Sequence, residues 1–175
     1  AGHPAERWIL KAPFHLARIP QIFEFFPDAM IVQTHRDPIE TSPSIASLYT
    51  ATWRTTTPDV DPLVVGEQCL ELWSWGIAKC LADRDASFES RFIDVLYEET
   101  RKDPMGSIAY IYDRLGRPFT DEAREAMKRW GDDNRRDKRA AHSYSLEEFG
   151  YTREGICEAF ADYRERFIIG KAEFR

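Results

Sequence analysis

The sequence predicts an α/β chain built around a parallel sheet, and three observations carry that prediction. A short β-branched run at Met30, Ile31 and Val32 leads through Thr34 and Arg36 into Asp37-Pro38, the marks of a helix start. A second run, Phe92 to Leu96, also leads into a helix. Elsewhere apolar residues recur at intervals of three and four, the period of helices packed on one face.

In chain order, Arg7 to Lys11 reads as a strand stopped by Ala12-Pro13, and Ile19, Ile22, Phe23 and Phe26 mark one face of a helix ended by Pro27-Asp28. Met30 to Thr34 is the next strand. Asp37 suits the N-cap of the following helix, Pro38 its first position and Glu40 the partner three residues on. Ser42-Pro43 offers a second start, so this helix begins there, or begins at Pro38 and kinks at Pro43, and runs to about Trp53. A strand that runs straight into a helix N-terminus gathers unpaired N–H groups and the helix dipole at one spot, where α/β proteins place phosphates. Arg36 sits at that junction, able to grip a phosphate with two parallel bonds, and Ser44, eight residues on, adds a hydroxyl if the backbone bends back. The local pattern fits equally well an arginine that is solvated or paired with a carboxylate such as Asp37, and a serine that only caps.

Thr55 to Pro62 is a polar loop, and from Val64 to Ala82 a long helix carries Leu70, Trp73, Ile77 and Leu81 as its apolar stripe. Phe92 to Leu96 then delivers Tyr97, Glu98 and Glu99 to the end where open parallel sheets collect ligands. The two inner strands are therefore expected side by side and parallel, or one strand apart, with Arg36 and Tyr97 at the same edge. Asp103-Pro104 caps a helix whose face is Ile108, Ile111, Tyr112 and Leu115, with Gly116 past its end. Thr120 starts another with Ala123, Met127 and Trp130 on one side, closed by Gly131. Asp132 to His142 is the most basic run in the chain. Ser145 and Glu148 form a capping box before a last helix that packs Ile156, Ala159, Phe160, Tyr163 and Phe167.

With 175 residues, 43% hydrophobic and 13% aromatic, the chain can bury a single-domain core. A net charge of −6 and a pI near 5.3 argue against a nucleic-acid or anionic-membrane surface and leave a small charged ligand held by a local basic cluster. Cys69, Cys80 and Cys157 lack metal-ligand spacing and read as reduced packing residues, which suggests a cytoplasmic protein without a metal. No run is long enough to span a membrane. Three strands are too few for a parallel sheet covered on both faces, and no G-x-x-x-x-G-K-[ST] loop occurs. A further N-terminal segment with at least one strand is therefore expected upstream.

The pieces LKAPFHL, FPDAMIVQTHRDPIETSPSIASL, FIDVLYEETRKDP and the basic loop before HSYSLEEFGY, in this order, resemble the sulfotransferases that use 3′-phosphoadenosine 5′-phosphosulfate. The likeness is to the bacterial branch related to the tyrosylprotein enzymes, and covers nearly the whole of residues 1–175 as the C-terminal portion of one domain. It implies a three-layer α/β sandwich of the P-loop kinase type. It also implies that Arg36 and Ser44 hold the donor's 3′-phosphate, that Lys11 stabilises charge on the oxygen bridging sulfate and 5′-phosphate, and that Tyr97 lies near the adenine. Arg136 and Lys138 match a basic segment that closes on the 3′-phosphate, though relatives tend to carry glycines where this chain has Asp137 and Ala140. The family's 5′-phosphosulfate loop lies on an N-terminal strand and helix absent from these residues, so the chain alone is expected to be inactive.

Sulfuryl transfer resembles phosphoryl transfer, with a loose in-line transition state that rewards positioning and a fixed cation. Lys11 suits that cation, although a solvated lysine at a strand end is its ordinary reading. His15, four residues on, has the imidazole chemistry for taking the proton of an acceptor hydroxyl or amine, while an upstream carboxylate is the alternative base. Strand alternation turns His35 away from Arg36, which makes it structural. The acceptor, a small molecule or carbohydrate, is not written in any motif. Two other functions compete: a P-loop kinase-like phosphotransferase, which needs a metal-binding Asp at a strand end, and a nucleotide-binding module without catalysis.

Overall fold

The computed structural model describes residues 8–134 and 144–169, an α/β arrangement of two parallel strands and eight α-helices. Strand β1 (Ile31–His35) and strand β2 (Phe92–Leu96) pair in register from Ile31 opposite Phe92 to His35 opposite Leu96. The expected parallel pairing is thus observed, with β1 one residue later than its sequence signal.

The N-terminal strand expected at Arg7 to Lys11 is not formed among the described residues. Residues 8–12 have no sheet partner, and Trp8, Ile9 and Leu10 are 77, 94 and 54% exposed. Apolar composition alone does not make a strand, because the backbone N–H and C=O groups need a neighbour. A 3₁₀ turn (Pro13–Arg18) follows and runs into helix α1 (Ile19–Phe25), which buries Ile19 and Phe23 against Phe92 and Cys80.

Helix α2 (Pro38–Trp53) starts at the first of the two possible caps and continues through Pro43. Asp37 is its N-cap, its Oδ1 accepting from the Ile39 N–H at 3.0 Å. Helix α3 (Pro62–Asp83) is capped in the same way by Asp61. Its buried stripe is Val65, Gly66, Cys69, Gly76, Cys80 and Leu81, while the expected Leu70, Trp73 and Ile77 are half-buried at its flank. Small residues face inward because neighbours come close: the Tyr151 hydroxyl donates to the Gly66 carbonyl at 2.8 Å, and a Cβ on Gly66 would stand 2.1 Å from the Phe149 carbonyl oxygen. The three cysteines are free, as expected, and burial pushes the Cys80 thiol up to about 11.

After β2, helix α4 (Tyr97–Lys102) begins at once, and Asp103 caps helix α5 (Pro104–Arg114) through the Gly106 N–H at 2.8 Å. Gly116 follows α5 with φ of 63°, the left-handed geometry that lets a helix stop. Thr120 caps helix α6 (Asp121–Asp133), which runs past Gly131 rather than closing there, and Trp130 on its expected apolar side is 67% exposed. Ser145 caps only a short 3₁₀ turn (Glu147–Phe149), accepting from the Glu148 N–H at 3.2 Å. The expected single last helix is two: Thr152 caps α7 (Arg153–Ala159), and a break at Phe160 leads to α8 (Ala161–Phe167). Gly150, at φ 69°, makes the turn between cap and helix.

The main core joins α2, α3 and the C-terminal elements through Ala46, Val65, Cys69, Phe149, Tyr151, Ile156 and Phe160. Phe92 and His35 point to the α1, α3 and α8 side of the sheet, and Ile93 and Val95, by alternation, to the side of α5. No described helix is long and apolar enough to cross a membrane.

Candidate functional site

The end of β1 and the start of α2 meet the end of β2 at Arg36 and Tyr97. The Arg36 guanidinium carbon lies 4.4 Å from the centroid of the Tyr97 ring, so both residues emerge at the same sheet edge as the sequence predicts. Arg36 is paired with a carboxylate, as the ordinary expectation for such an arginine has it, but the partner is Glu40 and not Asp37. Its Nε donates to Glu40 Oε2 at 2.8 Å, and its Nη2 lies 2.7 Å from the same oxygen. Glu40 therefore serves the arginine rather than a capping box.

Arg36 and Glu40 line an open cleft of about 450 Å³ with Ile39, Pro43, Tyr144, Ser145, Leu146 and Arg153. Ser44 follows Pro43 on α2 and is half-buried, and it is not among the residues that line this cleft. The cleft brings together two guanidinium groups, a phenol and a hydroxyl, the donor types of an anion site, next to the N-terminus of a 16-residue helix. Glu40 is the one carboxylate among these residues.

Lys11 and His15 lie elsewhere on the chain, the first exposed and the second in the 3₁₀ turn that packs on α3. Neither side chain makes a hydrogen bond or ion pair among the described residues, and nothing in the described geometry joins them to the Arg36–Tyr97 pair. Arg136 and Lys138 fall outside the described residues. Glu98 and Glu99 belong to no metal-binding cluster among the described residues.

Beneath the junction lies a polar network that the sequence reading assigns only at His35. His35 is 1% exposed, donates its Nε2 to Asp94 Oδ1 at 2.8 Å, and sits with Nδ1 3.0 Å from the Tyr163 hydroxyl. Arg84, also 1% exposed, donates Nη1 and Nη2 to the two Asp94 oxygens at 2.8 Å, Nη1 to Gln33 at 2.8 Å, and Nε to Glu89 at 2.8 Å. Burial by itself would raise the Asp94 carboxyl, but the hydrogen bonds from Arg84 and His35 hold it well below the usual carboxylate range. Burial likewise disfavours the Arg84 charge, and Asp94 and Glu89 outweigh it, raising its pKa. At the surface of the turn, Arg164 grips Asp37 with two bonds of 3.1 Å; these outweigh the burial that would raise the Asp37 carboxyl and lower it instead. The burial of Arg84 depends on partners from three other segments: the carboxylates of Asp94 and Glu89 and the amide oxygen of Gln33.

The model of a family described as "Sulfotransferase family" matches residues 1–121. The omega-hydroxy-beta-dihydromenaquinone-9 sulfotransferase Stf3 of Mycobacterium bovis is 32% identical over 114 residues, covering 62% of this chain and 28% of that protein. Among solved structures, sulfotransferase STF9 from Mycobacterium avium superposes with a TM-score of 0.82 at 29% identity over 96% of this chain and 43% of that one. Sulfotransferase STF1 from Mycobacterium tuberculosis H37Rv gives a TM-score of 0.73 at 34% identity, over 89% and 40%. The chain thus spans less than half the length of each of these relatives.

Proposed function

This chain belongs to the sulfotransferase family, and from that premise we propose that it carries the donor-recognition part of an enzyme using 3′-phosphoadenosine 5′-phosphosulfate. The observation that supports this most is the convergence of Arg36 and Tyr97 at a helix N-terminus beside a cleft lined by a second arginine, Arg153. The cleft's donor set fits a 3′-phosphate. Arg36 would hold that phosphate, Ser44 would add a hydroxyl from α2, and Tyr97 would lie along the adenine. Arg136 and Lys138 are proposed to reach the same phosphate: Lys138 precedes Tyr144 of the cleft by six residues, a tether of at most about 20 Å.

Bound there, the donor supplies an activated sulfuryl group. Lys11 is proposed to stabilise the negative charge left on the bridging oxygen, and His15 to take the proton of the attacking acceptor. The name of the curated relative includes a hydroxylated small molecule, and a small-molecule hydroxyl is the acceptor class proposed for this chain. No metal enters the scheme.

The test is a calorimetric titration of the intact protein with 3′,5′-adenosine bisphosphate, adenosine 5′-phosphate and ATP with Mg²⁺. Preference for the bisphosphate is expected. Tighter binding of ATP with Mg²⁺ than of the bisphosphate would favour the phosphotransferase reading instead.

A further inference from the structure

Helix α8 meets the β1–α2 turn on both sides of Arg36. The Tyr163 hydroxyl lies 3.0 Å from His35 Nδ1. Arg164, the next residue, donates Nε to Asp37 Oδ1 and Nη2 to Asp37 Oδ2, both at 3.1 Å. The residues before and after Arg36 are therefore both held by one helix more than 120 positions away in sequence.

The clamp is built rather than incidental. Tyr163 is 5% exposed and Phe167, one turn on, is 2% exposed and stacks on the His35 ring at 4.0 Å and 9°. The Asp37 carboxylate is shared between Arg164 and the α2 cap: Oδ1 accepts from both the Ile39 N–H and Arg164 Nε, and Oδ2 from Arg164 Nη2. Helix α8 has its own anchor away from the turn, where Arg166 pairs with Asp85 at 2.6 Å and Glu89 at 2.8 Å.

A guanidinium on a flexible stem meets a phosphate with two aligned bonds only when its backbone points it there, and small misplacements are costly at such sites. We propose that Tyr163 and Arg164 are positioning residues that fix the backbone of Arg36 so that its guanidinium faces the 3′-phosphate of the nucleotide donor. This rests on the donor reading given above. The two residues touch no nucleotide themselves. They act through the turn, and their effect is confined to the phosphate that Arg36 contacts.

The experiment compares Tyr163→Phe, which keeps the ring and deletes the hydroxyl, and Arg164→Lys, which keeps the charge and loses the two-point grip, with Arg36→Ala. Each variant of the intact protein is titrated with 3′,5′-adenosine bisphosphate and with adenosine 5′-phosphate, and its thermal unfolding is recorded. Each positioning variant is expected to weaken the bisphosphate about threefold to tenfold, the range of one hydrogen bond, and to leave the monophosphate within about twofold. Parallel losses for both nucleotides, or no loss for the bisphosphate, while Arg36→Ala still discriminates, would overturn the positioning role and leave the phosphate reading standing. If Arg36→Ala itself fails to discriminate, both fall.

Discussion

The Arg36 guanidinium carbon lies 4.4 Å from the Tyr97 ring centroid, so a cation at the end of β1 rests on an aromatic face at the end of β2. Such a contact contributes roughly 0.5–1 kcal/mol at a partly exposed site. Tyr97→Leu is therefore expected to weaken 3′,5′-adenosine bisphosphate by at least about twofold to fivefold. Unchanged affinity on calorimetric titration would show that the ring neither orients Arg36 nor meets the nucleotide.

Glu40 occupies two donors of Arg36 and is the sole carboxylate lining the cleft among the described residues. An anion entering the cleft competes with it. Glu40→Gln is expected to tighten the bisphosphate about twofold to fivefold, the scale of an exposed ion pair, with the gain shrinking as salt rises. Weaker binding would mean that Glu40 aims the arginine rather than competing for it.

Two glycines of α3 should respond to alanine in opposite directions. A Cβ on Gly66 would lie 2.1 Å from the Phe149 carbonyl oxygen, whereas a Cβ on Gly76 would meet nothing within 4 Å. Gly66→Ala should cost roughly 1–3 kcal/mol through overpacking, and Gly76→Ala should stabilise by about 0.5–1 kcal/mol through helix propensity. Urea unfolding of both variants decides it, and equal shifts would contradict the packing described.

How the sequence maps to this structure is seen in particular residues. The nearly continuous apolar run at Phe92 to Leu96 marked β2 to the residue because both its faces are covered, and Asp37, Asp103 and Thr120 announced their helices because caps are local chemistry. The run at Trp8 to Leu10 misled because pairing is a property of two strands. The inward stripe of α3 was misplaced at Leu70, Trp73 and Ile77 because their bulk marks an apolar face, while close packing puts the smaller Val65, Cys69 and Cys80 innermost. In the site, Arg36 and Tyr97 were legible as strand ends. Tyr163, Arg164 and Arg84 were not, since their partners arrive from distant segments, and Tyr144, Ser145 and Arg153 line the cleft from a part of the chain far from Arg36 in sequence.

Asp94, Asp37 and Glu89 all have carboxyls lowered by arginine hydrogen bonds. A depressed native pKa contributes stability that is full above the unfolded value of about 4 and is lost as pH falls through the native one. Stability should therefore hold from neutrality to about pH 5 and decline below pH 4. Asp94→Asn should be less stable at pH 7 and show a shallower acid slope in pH-dependent urea unfolding. An unchanged slope would mean that Asp94 does not carry this linkage.

The central claim is that Arg36 recognises the 3′-phosphate of the donor. Arg36→Ala removes charge-assisted bonds of roughly 1.5–3 kcal/mol each, so 3′,5′-adenosine bisphosphate should weaken by about tenfold to over a hundredfold. Adenosine 5′-phosphate, which lacks the contacted group, should be nearly unaffected. Calorimetric titration of both nucleotides against the intact protein and its Arg36→Ala variant gives four affinities. A large loss confined to the bisphosphate is the predicted result, and equal losses for the two nucleotides would contradict it, leaving Arg36 a support of the fold or of the 5′ side.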